Sequence, residues 1–108
     1  ETIQGNAIGF IDLQNLDMKH LRAEVGVVLL PEWQGKGYAS EALNLLCVYA
    51  SEHLNLHQLY AIVSSVNKRA IRLFEQIQFK PSGLLTGWLK QGSSFFDAVI
   101  YTRIFMRS

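Results

Sequence analysis

The sequence predicts an α/β domain (α+β in arrangement): a mixed, mostly antiparallel sheet carrying two helices. Three observations predict it. Apolar runs bounded by Gly, Pro and polar clusters fall at 7–13, 22–30, 58–64, 83–90 and 95–105. Two stretches between them, 39–54 and 67–77, instead repeat their apolar residues at three and four. The first of these joins two apolar runs over more than the dozen or so residues that a parallel connection needs.

The first strand, Ala7 to Leu13, carries Ile8, Phe10 and Ile11, and Gly5-Asn6 before it suits a hairpin turn. The strand that would pair ahead of it is almost absent. Asn15 to His20 reads as a polar turn. Arg22 to Leu30 is the second strand. Its end, Val25 to Leu30, is apolar or Gly throughout, as in a strand covered on both faces, and Pro31 stops it. Ala39, Ala42, Leu43, Leu46, Cys47, Ala50 and Leu54 then form one helical stripe. Cys47 lies on that stripe, which suits a small buried hydrophobe better than a nucleophile. His53 and His57 are four apart, but Asn55 ends the helix between them and no third ligand is near, so no metal site is expected.

Gln58 to Ser64 is a short buried strand, parallel to Arg22–Leu30 because a helix precedes it. Asn67 is an N-cap candidate for the second helix, whose stripe is Ala70, Leu73, Phe74 and Ile77. Lys68, Arg69 and Arg72 make its other face basic, either as a solvated surface or as a phosphate partner. The tail reads as a hairpin, Gly83–Lys90 and Phe95–Phe105 around the turn Gln91-Gly92-Ser93-Ser94.

At 108 residues the chain is one domain, 1–108, and 49% hydrophobic content allows a core. A net charge of +1 without charge blocks points to no nucleic-acid partner. No apolar run reaches the roughly 18 residues of a membrane span. The start, Glu1-Thr2-Ile3-Gln4, is neither a signal peptide nor an initiating Met, which reads as a fragment of a longer protein. One cysteine allows no internal disulfide and fits a reducing, cytoplasmic compartment.

The chain's chemistry concentrates at Gln34-Gly35-Lys36-Gly37-Tyr38-Ala39-Ser40, between an apolar strand and a helix start. Such a turn offers unpaired N–H groups and the positive end of a helix dipole to a phosphate. Two glycines let the backbone approach and Lys36 adds charge. It is not a Walker loop, whose first Gly and final Ser or Thr would fall at Leu30 and Gly37. Nor is it a dinucleotide fingerprint, whose third Gly would fall at Ser40. Gln34, Gly37 and Ala39 do match Gln-x-x-Gly-x-Ala, which resembles the pyrophosphate-binding motif of the GNAT superfamily of N-acetyltransferases. Ala23-Glu24, the run Asn67, Ala70, Leu73-Phe74-Glu75 with Phe79, Gly83 and Asp97 are similar to that family as well. The order of elements matches the C-terminal two-thirds of its fold. The nearest branch holds the bacterial spermidine acetyltransferases, which Leu54-Asn55-Leu56-His57 resembles, and the ribosomal-protein N-terminal acetylases.

The resemblance implies acetyl-CoA as co-substrate. Backbone groups of Val27 and Leu29 would pair with its pantetheine arm, and amides from Gln34 to Ser40 would hold its pyrophosphate. Asn67, Lys68 and Phe74 would meet it from the second helix, where the strands Val25–Leu30 and Leu59–Val63 diverge. Glu24 is the candidate base, or else a strand-edge surface glutamate. Three features depart from the family. Phe74 stands where its Tyr protonates the leaving thiolate, and Phe has no proton to give. Gln78 precedes Phe79 where the family has Gly. The first strand, the next two helices and most of the second strand have no counterpart, so we expect a truncated acyl-CoA N-acyltransferase fold and a homo-oligomer that covers an open sheet edge. The implied activity is acetyl transfer to a small-molecule amine such as spermidine, or to a protein N-terminus. The alternatives are a non-catalytic acyl-CoA-binding remnant and an interaction module.

Overall fold

A computed structural model describes residues 2–5, 9–29 and 38–105, with side-chain surroundings over 12–26 and 40–105. In chain order the elements are β1 (Thr2–Gly5), β2 (Gly9–Asp17), β3 (Arg22–Leu29), α1 (Tyr38–Glu52), β4 (Gln58–Ser64), α2 (Lys68–Gln76), β5 (Lys80–Gln91) and β6 (Ser94–Ile104). The described strands form one sheet in the order β1-β2-β3-β4-β6-β5. Only β3 and β4 are parallel, joined through α1 as the sequence predicts; the other pairs are antiparallel.

Alternation along the strands sorts the two faces of the sheet. Ala23 and Val25 of β3, and Leu59, Ala61 and Val63 of β4, are buried. They meet Leu43, Leu46, Cys47 and Ala50 of α1 and Leu73, Phe74 and Ile77 of α2, so both helices cover this one face. Phe79, following α2, completes the core and packs edge-on against Phe74, with ring centroids 5.1 Å apart. The other face carries Asp12, Gln14, Glu24 and Tyr60, all at least partly exposed.

Helix α1 stops through its Asn. Asn55 takes φ 55°, and Leu56 N–H donates to the Ala50 carbonyl at 3.0 Å. A left-handed Asn thus turns the chain off the helix, and the Ala50 carbonyl, one of the last in the helix, finds its donor beyond the turn. Leu56 is then fully buried beneath it. At the other helix, Asn67 caps α2 as expected: its Oδ1 accepts from Ala70 N–H at 3.2 Å.

Three strand boundaries differ from expectation. Thr2–Gly5 does form a strand, paired with Gly9–Asp12, where almost none was expected; four residues suffice because β2 supplies the ladder. The hairpin turn expected at Gly5-Asn6 reaches residues outside the described ones. Strand β2 runs on to Asp17, through residues read as a turn, because a bulge absorbs the break in its pattern. Strand β5 begins at Lys80 rather than Gly83. Pro81 is tolerated in it because an edge strand pairs on one side only.

Candidate active site

Strands β3 and β4 pair at Arg22 with Gln58, Ala23 with Leu59 and Glu24 with Tyr60, and no further. Both strands continue, to Leu29 and Ser64, so they diverge beyond the Glu24–Tyr60 pair. A cleft of about 260 Å³ opens there. Val25 lines it from β3, Ala61 to Ser64 from β4, and Asn67, Ala70, Leu73 and Phe74 from α2.

The backbone of β3 faces this gap in a regular way. The Leu21 carbonyl accepts from His57 and Gln58 N–H, on the β4 side. The N–H of Arg22, across the same trans peptide, therefore points toward β2. Alternation then turns the N–H and C=O of Val25, Val27 and Leu29 toward β4. No β4 residue stands opposite them, so an extended chain entering the gap finds a free strand edge.

Glu24 is the last paired residue before the gap and lies on the face opposite the helices. Asn15 Nδ2 donates to its Oε1 at 2.8 Å. Tyr60 is its neighbour across the pair. Burial, and after it the charge on Glu24, pushes the Tyr60 phenol up. Gly26 lies two residues on along the same face. A Cβ there would come within 2.5 Å of Asp12 Oδ1 and 2.7 Å of Gln14 Nε2. Glycine at this position lets both side chains lie across the strand.

Helix α2 meets the cleft with its cap and its inner stripe. Asn67 spends Oδ1 on its own helix and also lines the cleft. Its first turn holds Lys68 and Arg69 and no acidic residue. Two cations at the positive end of a helix dipole oppose it, an arrangement that favours an anion nearby. Lys68 Nζ donates to the Ser65 carbonyl at 3.5 Å. Phe74 has the core position the sequence suggested. It is 3% exposed against Phe79 and Tyr101, and it also lines the cleft.

The remaining sequence-derived residues divide. Gln34, Gly35, Lys36 and Gly37 lie outside the described residues, as does Glu32. Tyr38 and Ala39 open α1. Ser40, in its first turn, donates its hydroxyl to Gln76 Oε1 of α2 at 3.1 Å, tying the helices together. Asp97 is engaged elsewhere: Oδ1 accepts from Gly87 N–H at 2.8 Å, holding a break in β5 where Gly87 takes φ 58°. His53 stacks on Tyr49 at 5.4 Å. Cys47 is buried, which pushes its thiol up. Sequence reasoning missed Asn15 and Tyr60. Asn15 sat in a stretch read as a turn, and Tyr60 carried only a strand signal.

Comparison with known proteins identifies the family of a chain with this splayed parallel pair. The family model described as "Acetyltransferase (GNAT) domain" matches residues 1–80. The chain is 37% identical over 81 residues to the spermidine N(1)-acetyltransferase of Escherichia coli strain K12, covering 75% of this chain and 44% of that protein. It is 36% identical over 85 residues to the spermidine N(1)-acetyltransferase of Vibrio cholerae, covering 79% and 49%. A solved mutant form of a spermidine N-acetyltransferase from Vibrio cholerae superposes with TM-score 0.86 at 27% identity, over 95% of this chain and 63% of that one. The chain belongs to the GNAT acetyltransferase family. It spans about half the length of the curated relatives it matches.

Proposed function

We propose that residues 1–108 act as one domain of an N-acetyltransferase that moves an acetyl group from acetyl-CoA to a primary amine, a polyamine such as spermidine or a protein N-terminus. The observation that carries this reading is the divergence of β3 and β4 beyond Glu24 and Tyr60, with a cleft walled by α2. The cleft fits the co-substrate's arm. Its β3 edge is unpaired, so Val27 and Leu29 would bond the amides of the pantetheine. The amides of Gln34 to Ser40 and the charges of Lys36 and Lys68 would hold its phosphates.

Bound there, acetyl-CoA supplies an activated acyl carbon. The chain's own groups would do the rest. Glu24 would take a proton from the substrate ammonium, directly or through water, freeing the amine to attack. Strand N–H groups would stabilise the carbonyl oxygen as it gains charge. The amine lone pair forms the C–N bond, the C–S bond breaks with its electron pair on sulfur, and the second N–H proton passes to solvent or to the departing thiolate. Phe74 gives it no proton. A thiol of pKa about 8.5 leaves without strong acid help, so turnover is slow rather than absent. The core packing of Phe74 favours a second reading, an acyl-CoA-binding module without turnover.

The relatives named for spermidine acetylation support a polyamine acceptor. A single buried thiol fits the cytoplasm. The edge strand β5, with Leu84 63% and Trp88 58% exposed, fits self-association.

Two measurements test the proposal. Calorimetry of CoA binding should show affinity in the wild type and its loss in folded Gly37→Val, where a branched side chain blocks the close approach. Unchanged affinity overturns the co-substrate assignment. Thiol release from acetyl-CoA with a panel of amines, polyamines first, separates enzyme from binding module: CoA binding without turnover on any amine leaves the second reading.

A further inference from the structure

Strand β2 carries one residue more than β3 between two of their pairings. Gln14 stands opposite Glu24 and Asp17 opposite Arg22, so Asn15 and Leu16 together face Ala23. A bulge of this kind removes its extra residue from the ladder and re-aims a side chain. In a regular strand the residue after Gln14 would point to the face away from Gln14 and Glu24. Here Asn15 takes φ 50°, a left-handed conformation that Asn is among the few residues to tolerate. Its amide reaches across the strand pair and donates to Glu24 Oε1 at 2.8 Å.

Stability does not account for this arrangement. Asn15 is exposed, and water replaces an exposed hydrogen bond with little loss to the fold. A left-handed non-glycine residue carries strain that surrounding structure must hold. What the contact does accomplish is directional. It fixes one carboxylate oxygen, while no hydrogen bond among the described residues reaches the other. The carboxylate so fixed stands at the point where β3 and β4 part.

We propose that Asn15 is a positioning residue that holds the Glu24 carboxylate with its second oxygen turned to the amine to be deprotonated. The proposal rests on the acetyl-transfer reading above. A proton acceptor must lie within hydrogen-bond reach of the proton it removes. An unrestrained Glu side chain spreads over several rotamers, and only some of them satisfy that geometry. The Asn15 amide selects among them, and the bulge puts the amide in place.

The test is a four-member cycle in the complete protein: wild type, Asn15→Gly, Glu24→Gln and the double variant, each assayed for thiol release with the best amine. Glycine retains the positive-φ backbone and removes only the amide. Asn15→Gly should lower kcat about 10- to 100-fold, with KM for acetyl-CoA and CoA affinity within twofold of wild type. In the Glu24→Gln background the same change should cost nothing more, because the partner it acts through is gone. Asn15→Asp, of matching shape but offering oxygen in place of N–H, should fail to restore the rate. A kcat within twofold of wild type in Asn15→Gly overturns the proposal and leaves acetyl transfer standing. So does a loss that repeats in full in the Glu24→Gln background. A wild type that turns over no amine overturns acetyl transfer, and the role of Asn15 falls with it.

Discussion

Replacing Gln78 by glycine should stabilise this protein. Gln78 takes φ 73° between the end of α2 and Phe79. The left-handed region costs a residue with a Cβ roughly 1–2 kcal/mol. Glycine is free of that cost, but the greater freedom of its unfolded chain offsets about 0.5–1 kcal/mol of the gain. The side chain contributes little that would be lost, because Gln78 is exposed and the one hydrogen bond it makes among the described residues, 3.2 Å to the Glu75 carbonyl, comes from its backbone N–H. The neighbouring bond from Phe79 N–H to the Phe74 carbonyl, 2.9 Å, is also a backbone bond and persists. The net expectation is a gain of about 0.5–1 kcal/mol, or roughly 2–8 °C in Tm for a domain of this size. Urea unfolding followed by circular dichroism measures it: the midpoint should rise at unchanged m. Gln78→Ala serves as the control, since alanine retains the cost and should leave the midpoint where it is. A Gly variant no more stable than the Ala variant would refute the reasoning and show that the turn after α2 holds no strain.

Three further outcomes are expected. Phe74→Tyr should raise kcat for acetyl transfer about 100-fold, the low end for a general acid, with KM for acetyl-CoA nearly unchanged; an unchanged kcat, with chemistry shown to limit the rate, would remove Phe74 from the proton-donor position. Cys47 is 1% exposed and its thiol is pushed up by burial, so a thiol reagent should label it only as fast as the chain opens; labelling within the mixing time would contradict its packing. Asp17 is drawn down from 3.8 to about 2, first by its side-chain bond to His20 and then by the His20 backbone N–H. A depressed carboxyl contributes stability that is complete above about pH 3.8 and is lost as pH falls through 2. Asp17→Asn should therefore flatten the dependence of the urea midpoint between pH 2 and 4, and an unaltered slope would show that the carboxyl is not so held.

Local chemistry alone decided several elements. The stripe Leu43, Leu46, Cys47, Ala50 reads as the buried face of a helix and is one, because helix period survives any surroundings that cover one side. Asn67 reads as a cap and Asn55 as a stop, because each acts through backbone groups within a few residues. The parallel pairing of β3 and β4 followed from the helix between them. The position before Phe79, odd as a Gln, was legible as a departure, but its cause came only with φ 73°.

Other features needed distant parts of the chain to meet. The end of the β3–β4 pairing at Glu24 and Tyr60 is a matter of two strands far apart in the chain diverging in space, and no residue type marks it. Whether Glu24 was a surface glutamate or a held carboxylate depended on a bulge in another strand. That bulge is invisible in the sequence, because Gln14 to Asp17 has the polarity of a turn and pairing energy with β3 overrides it. Phe74 drew its two positions, core and cleft, from Phe79, Tyr101 and β4 together. The sequence by itself thus determined the two helices and the parallel connection between β3 and β4, since those rest on periodicity and nearby backbone groups. Only the tertiary structure decided how Glu24 is aimed, because that direction is set by a hydrogen bond between strands.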